Sequence, residues 1–92
     1  MTKTYPNIID GARDEAGAGF DVINPSTGAV AGRALGANAE ALDRAAAAAR
    51  KAFPGWAATP WADRQAACNK IAALIGENAE ELATLLSTEQ GK

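Results

Sequence analysis

The 92-residue chain predicts an α+β fold, two N-terminal β-hairpins followed by three α-helices, on three observations. Residues 1–37 alternate short apolar runs with Gly, Asp, Asn and Pro, the vocabulary of strands and tight turns. Residues 38–91 are alanine, leucine and charge, which favour helix. Asn38, Thr59, Asn78 and Gly91 punctuate that second part as helix starts and a helix stop.

Taken in order, Tyr5 to Ile9 is a short apolar run, and Asp10-Gly11 is the dipeptide that most readily takes the positive φ angles of a hairpin turn. The returning strand begins at Ala12-Arg13 and is weak, because Arg13-Asp14-Glu15 offers little to bury. Gly17-Ala18-Gly19 then breaks it. In Phe20 to Ile23, Phe20 and Val22 share one side of a pleat with Asp21 on the other. Asn24-Pro25-Ser26-Thr27-Gly28 is a turn, and Val30 to Leu35 runs back to complete the second hairpin.

In the helical part, Asn38 caps a helix whose inner stripe is Leu42, Ala45, Ala49, Ala52 and Phe53, with Glu40 and Arg44 as an exposed pair four apart. Pro54-Gly55 is expected to end it. Thr59 as N-cap and Pro60 in the first turn open a second helix, with Cys68, Ile71, Ala72 and Ile75 along one face and Ala67 and Leu74 beside them. Asn78 and Glu81 have capping-box spacing ahead of a third helix lined by Leu82, Leu85 and Leu86, which Gly91 stops.

The apolar content is thin. Of the 92 residues 24 are alanine and only 15 are Leu, Ile, Val or Phe, so a free-standing core of this size closes with almost no surplus. The chain is therefore expected to be part of something larger. A formal net charge of −2 with scattered Lys and Arg argues against a nucleic-acid partner. The absence of histidine removes imidazole bases and ligands. A single cysteine forms no internal disulfide and suits a reducing compartment. MTKTYPNIIDG holds no signal-peptide run, and no segment has the apolar length of a membrane span, so the expected localisation is cytoplasmic, with no membrane partner.

No motif carries chemistry by itself. Glycines 28, 32 and 36 are four apart, and Gly91-Lys92 has Leu86 where a P-loop needs glycine, so no phosphate cradle is present. Cys68 lies in an apolar stripe and reads as a packed, inert thiol. Asp14-Glu15 and Glu80-Glu81 read as solvated charge and helix-dipole partners, and Trp56 and Trp61 as packing over a helix junction. The expected catalytic and cofactor-binding residues within the segment are none.

The order of several segments nonetheless resembles the N-terminal region of the aldehyde dehydrogenase superfamily. The resemblance runs through Ile8-Ile9-Asp10-Gly11, Phe20 to Gly28 with its N-P-S-T-G turn, Ala46 to Phe53 with Trp56, and Trp61-Ala62-Asp63-Arg64. It continues through Ile71-Ala72, Leu74-Ile75, Asn78 to Ala83 and Glu89-Gln90-Gly91-Lys92. Ala12 and Arg13 depart from it, standing where the family usually places an acidic residue and a tryptophan. The resemblance implies an α/β parent, a dehydrogenase fold with a Rossmann-like cofactor domain, in which residues 1–92 form the N-terminal part of the cofactor-binding side (1–37 hairpins, 38–91 helices). It implies oxidation of a small-molecule aldehyde to a carboxylic acid with NAD or NADP, by way of a cysteine thiohemiacetal. The catalytic residues would lie beyond Lys92, the parent would be a homodimer or homotetramer, and the isolated segment would be inactive. It further implies a monovalent cation held by the backbone carbonyls of Val22 and Ile23. The alternative is a non-catalytic helical module for protein interaction or oligomerisation.

Overall fold

A computed structural model describes residues 3–91; Met1, Thr2 and Lys92, the last being the end of the Glu89–Lys92 resemblance, lie outside the described residues. The order is β1 (Thr4–Tyr5), β2 (Asn7–Ile9), β3 (Ala12–Asp14), β4 (Gly19–Ile23), β5 (Val30–Leu35), α1 (Ala39–Ala58), α2 (Trp61–Glu77) and α3 (Ala79–Gln90). The α+β class, the two hairpins and the three helices are as the sequence predicts.

In the first hairpin β2 and β3 are antiparallel, pairing Asn7 with Asp14, Ile8 with Arg13 and Ile9 with Ala12. Asp10 and Gly11 both have positive φ, 53° and 74°, as the type I′ hairpin turn requires. The expected strand over Tyr5–Ile9 is instead cut at Pro6, which has no N–H to give to a ladder. Thr4 and Tyr5 pair in parallel with Arg33 and Ala34 of β5, so β1 joins the second hairpin in a three-stranded sheet of order β1-β5-β4. The Arg33 N–H donates to the Lys3 carbonyl at 2.9 Å and extends that pairing.

In the second hairpin β4 and β5 pair from Gly19 with Leu35 to Val22 with Gly32, and then Ile23 pairs with Val30. Ala31 is the extra residue of this bulge. The turn closes on Asn24: its carbonyl accepts from Gly28 N–H at 2.8 Å, its side-chain oxygen accepts from Ser26 N–H at 2.9 Å, and its own N–H donates to the Ala29 carbonyl at 2.9 Å. Gly28 takes the positive φ that the exit demands, 76°.

Asn38 caps α1 as expected, its side-chain oxygen accepting from Ala41 N–H at 2.8 Å. Pro54 does not end the helix, which continues through it to Ala58. The proline removes one intrahelical bond and crowds the Arg50 carbonyl, yet the chain stays helical to Ala58 and closes on the Thr59 bonds. The shift moves the boundary. Thr59 closes α1, its hydroxyl donating to the Gly55 carbonyl at 2.8 Å and its N–H to the Trp56 carbonyl at 3.1 Å, so it does not cap α2. Pro60 stands at the head of α2 with no side-chain cap. Asn78 likewise finishes α2 instead of capping α3: its amide Nδ2 donates to the Leu74 carbonyl at 2.8 Å. The expected capping box is absent, and Glu81 faces the Lys3 ammonium at 3.7 Å. Gly91 ends α3 in the left-handed region, φ 78°, with its N–H on the Ser87 carbonyl at 2.9 Å.

The expected inner stripes do not meet one another. Ala41 is the one buried apolar residue among the described residues, whereas Leu42, Phe53 and Leu86 are each more than 60% exposed. The chain measures 48 × 34 × 18 Å, with a radius of gyration of 16.7 Å. A compact domain of this length has a radius near 12 Å, so the helices are splayed. Two expectations fail for this reason. Cys68 is exposed and not packed, and Trp56 and Trp61 stand open at the helix junction, because among the described residues nothing covers them.

Candidate functional site

Val22 and Ile23 end β4 immediately before the Asn24 turn, Val22 half-buried and Ile23 exposed. The bulge falls between them and changes the ladder where backbone carbonyls can turn away from it. The turn that follows leans on the end of α3. The Ser26 hydroxyl donates to the Gly91 carbonyl at 2.5 Å, and a side chain at Gly91 would meet the Pro25 ring at 2.7 Å. Between turn and helix lies an open cavity of about 360 Å³ lined by Asn24, Ser26, Thr84, Ser87 and Thr88. Its lining mixes the amide and hydroxyl groups of these residues with Ala83 at the C-terminal end of α3.

A second polar cluster sits at the head of α1. The Arg44 guanidinium donates to Asp14 of β3 at 2.8 Å and to Glu40 one turn earlier at 2.6 Å. Asp14 also accepts from Ala16 N–H at 3.2 Å. The hydrogen bond from Arg44, with that from Ala16, holds the Asp14 carboxyl below its ordinary value, and the same bond from the other side raises Arg44. Beside the cluster is a cavity of about 350 Å³, bordered by Gly17, Gly36, Asn38 and Ala41. The Glu40–Arg44 pair is legible from its four-residue spacing, whereas the link to Asp14, thirty residues away, has no local signal.

A dinucleotide does not fit what is present. Its pyrophosphate needs free N–H groups at a helix start or a cationic clamp. The first turns of α1, α2 and α3 carry Glu40, Asp63, and Glu80 with Glu81, and Arg44 already serves two carboxylates. Cys68 is exposed on α2, and the sequence holds no histidine to act as its base. No group of three or more acidic, Cys or His side chains suited to a metal occurs among the described residues. No helix among the described residues is long and apolar enough to cross a membrane.

The family model described as the aldehyde dehydrogenase family matches residues 12–92. The N-succinylglutamate 5-semialdehyde dehydrogenase of Burkholderia mallei (strain SAVP1) is 45% identical over 93 aligned positions, which cover 100% of this chain and 18% of that protein. The enzyme of the same name from Burkholderia ambifaria (strain MC40-6) is 42% identical over the same shares. The mitochondrial acylating methylmalonate-semialdehyde dehydrogenase of Arabidopsis thaliana is 37% identical, covering 100% of this chain and 16% of its own length. The chain thus spans less than a fifth of the curated relatives it matches.

Proposed function

Because this chain belongs to the aldehyde dehydrogenase family, we propose that it is the N-terminal part of an NAD(P)-dependent enzyme that oxidises an aldehyde to a carboxylic acid. Residues 1–92 are its structural flank on the cofactor-binding side, with hairpins in 1–37 and helices in 38–91. The observation that carries this reading is the similarity itself: all 92 residues align with semialdehyde dehydrogenases, of which they span less than a fifth. The cysteine that would form the thiohemiacetal and the groups that bind NAD or NADP belong to the four-fifths of such an enzyme not contained here.

Within this reading the role of the chain is positional. Val22 and Ile23 offer backbone carbonyls to a monovalent cation at the bulged end of β4, a site completed by later sequence; the register shift between the two residues supports this reading. The relatives are named for semialdehydes, which supports an aldehyde bearing a second carbonyl-derived group as substrate. The parent enzyme is a cytoplasmic homodimer or homotetramer, a reading supported by the lone cysteine and by the uncovered apolar faces of the helices.

The test is an assay of the full-length gene product for aldehyde-dependent reduction of NAD and of NADP. Simple aliphatic aldehydes are set beside semialdehydes that carry a carboxylate. Reduction with either nucleotide is the expected result. A folded full-length protein that reduces neither with any aldehyde of the panel would remove the enzyme and leave the non-catalytic interaction module.

A further inference from the structure

The five aspartates of the chain sit in different surroundings. The Asp14 carboxylate accepts from Arg44 at 2.8 Å and from Ala16 N–H at 3.2 Å, and that of Asp21 accepts from Arg33 at 3.1 Å. Asp43 lies inside α1 and Asp63 in the first turn of α2, where the amide that follows each is held in helical hydrogen bonding. Asp10 is the exception. It is exposed at the tip of the first hairpin, at φ 53°, and is followed by an exposed glycine at φ 74°. The ladder closes on Ile9 with Ala12, which leaves the Gly11 N–H outside it. A Cβ at Gly11 would meet nothing within 4 Å, so the tip is open around this residue.

We propose that Asp10–Gly11 is a site of spontaneous covalent modification, at which the main chain is rerouted through the Asp10 side chain. The Gly11 nitrogen and the Asp10 Cγ belong to neighbouring residues, so their union closes a five-membered ring without any partner. In that step the protonated carboxyl gives up its hydroxyl and the Gly11 N–H its proton, and the two leave as one water. An N–Cγ bond forms, and a cyclic imide results. A second water then opens the ring. Cleavage at Cγ restores aspartate, whereas cleavage at the former main-chain carbonyl leaves Gly11 joined to Cγ and frees the α-carboxylate. Nothing is oxidised or reduced, and the product has the mass of the starting chain. Glycine is what allows the step: with no side chain on the attacking residue and no ladder bond to break, the amide can swing onto Cγ. The product carries one more main-chain carbon between Ile9 and Ala12 than a two-residue turn accommodates, so the pairing of β2 with β3 loosens there.

The experiment ages the full-length protein in mildly acidic buffer made with heavy-oxygen water, digests it with trypsin and follows the peptide from Thr4 to Arg13 by chromatography and mass spectrometry. A second peptide of the same sequence should appear with time, separated on the column and carrying one heavy oxygen, while the peptides of Asp43 and Asp63 stay single. Amide exchange at Ile9 and Ala12 should be faster in the aged protein. Asp10→Asn, which keeps the turn and loses ammonia in place of water, should give the same pair of peptides. Asp10→Glu, whose ring would need six members, should give one. If Asp10→Glu does not fold, the contrast with Asp43 and Asp63 in the unaltered protein decides. A single unlabelled Asp10 peptide, after a time in which the protein in urea forms two, overturns the proposal, because the folded turn then blocks the ring. Equal conversion at Asp43 and Asp63, or a second labelled peptide from Asp10→Glu, overturns it as well.

Discussion

Arg44 of α1 reaches the Asp14 carboxylate of β3 at 2.8 Å, a charged tie between the first helix and the first hairpin, whose strand β2 also lies against α1.

Asp14 consequently titrates below its ordinary value of 3.8, chiefly because of the hydrogen bond from Arg44 and next because of Ala16 N–H. A carboxyl depressed in the folded state contributes stability that is present above the ordinary value and is lost as pH falls through the folded one. NMR titration of the Asp14 carboxyl should show a midpoint under 3.8, and Arg44→Met should return it towards that value. An unchanged midpoint in Arg44→Met would show that the bond does not hold the carboxylate.

Two glycines should respond in opposite directions in the full-length protein. A Cβ at Gly17 would run into the carbonyl oxygen of Gly36, and backbone on both sides has no room to yield. Gly17→Ala should cost about 1–3 kcal/mol in urea denaturation. Gly55 lies inside α1 with open space around it, so Gly55→Ala should stabilise by up to about 1 kcal/mol through helix propensity.

Gly91 combines a left-handed φ of 78° with close approach to Pro25 and Ser26. Gly91→Ala in the full-length protein should therefore cost at least about 1 kcal/mol and loosen the Asn24 turn from α3. Faster hydrogen exchange at the Thr27 and Gly28 amides would register the loosening. Ser26→Ala, which loses only an exposed hydroxyl bond to the Gly91 carbonyl, should cost about 0.5 kcal/mol.

The 92 residues expressed alone should melt over a broad range without a sharp transition, because a cooperative transition needs a shared core and Ala41 is the one buried apolar side chain described. The same preparation should reduce neither NAD nor NADP with any aldehyde. Calorimetry and a nucleotide-reduction assay check the two outcomes separately.

What the sequence made legible was local. Asn38 and Gly91 cap because their side chain or left-handed backbone serves the residues next to them, and Asp10-Gly11 turns for the same reason. At Thr59 and Asn78 a polar residue stands between two helices, and nothing local decides which it serves; in both places it closes the helix behind it. Pro54 was misleading because the chain stays helical through it to Ala58. The parallel pairing of Thr4 with Arg33 and the bridge from Arg44 to Asp14 join residues about thirty positions apart, beyond the reach of any periodicity. The apolar stripe around Cys68 is real, but packing needs a second surface, and among the described residues none covers the thiol. Of the candidate site, Val22 and Ile23 came from family likeness alone; the contact of their turn with α3 is visible only in three dimensions.

The parallel strand β1 imposes an order on biosynthesis. Thr4 and Tyr5 leave the ribosome early, but their only ladder partners, Arg33 and Ala34, are added after the Asn24 turn has been made. Thr4 and Tyr5 can therefore join the ladder only once β5 is present, on its open edge. A bulky tag fused directly before Thr4 would burden that step and leave the two hairpins themselves undisturbed.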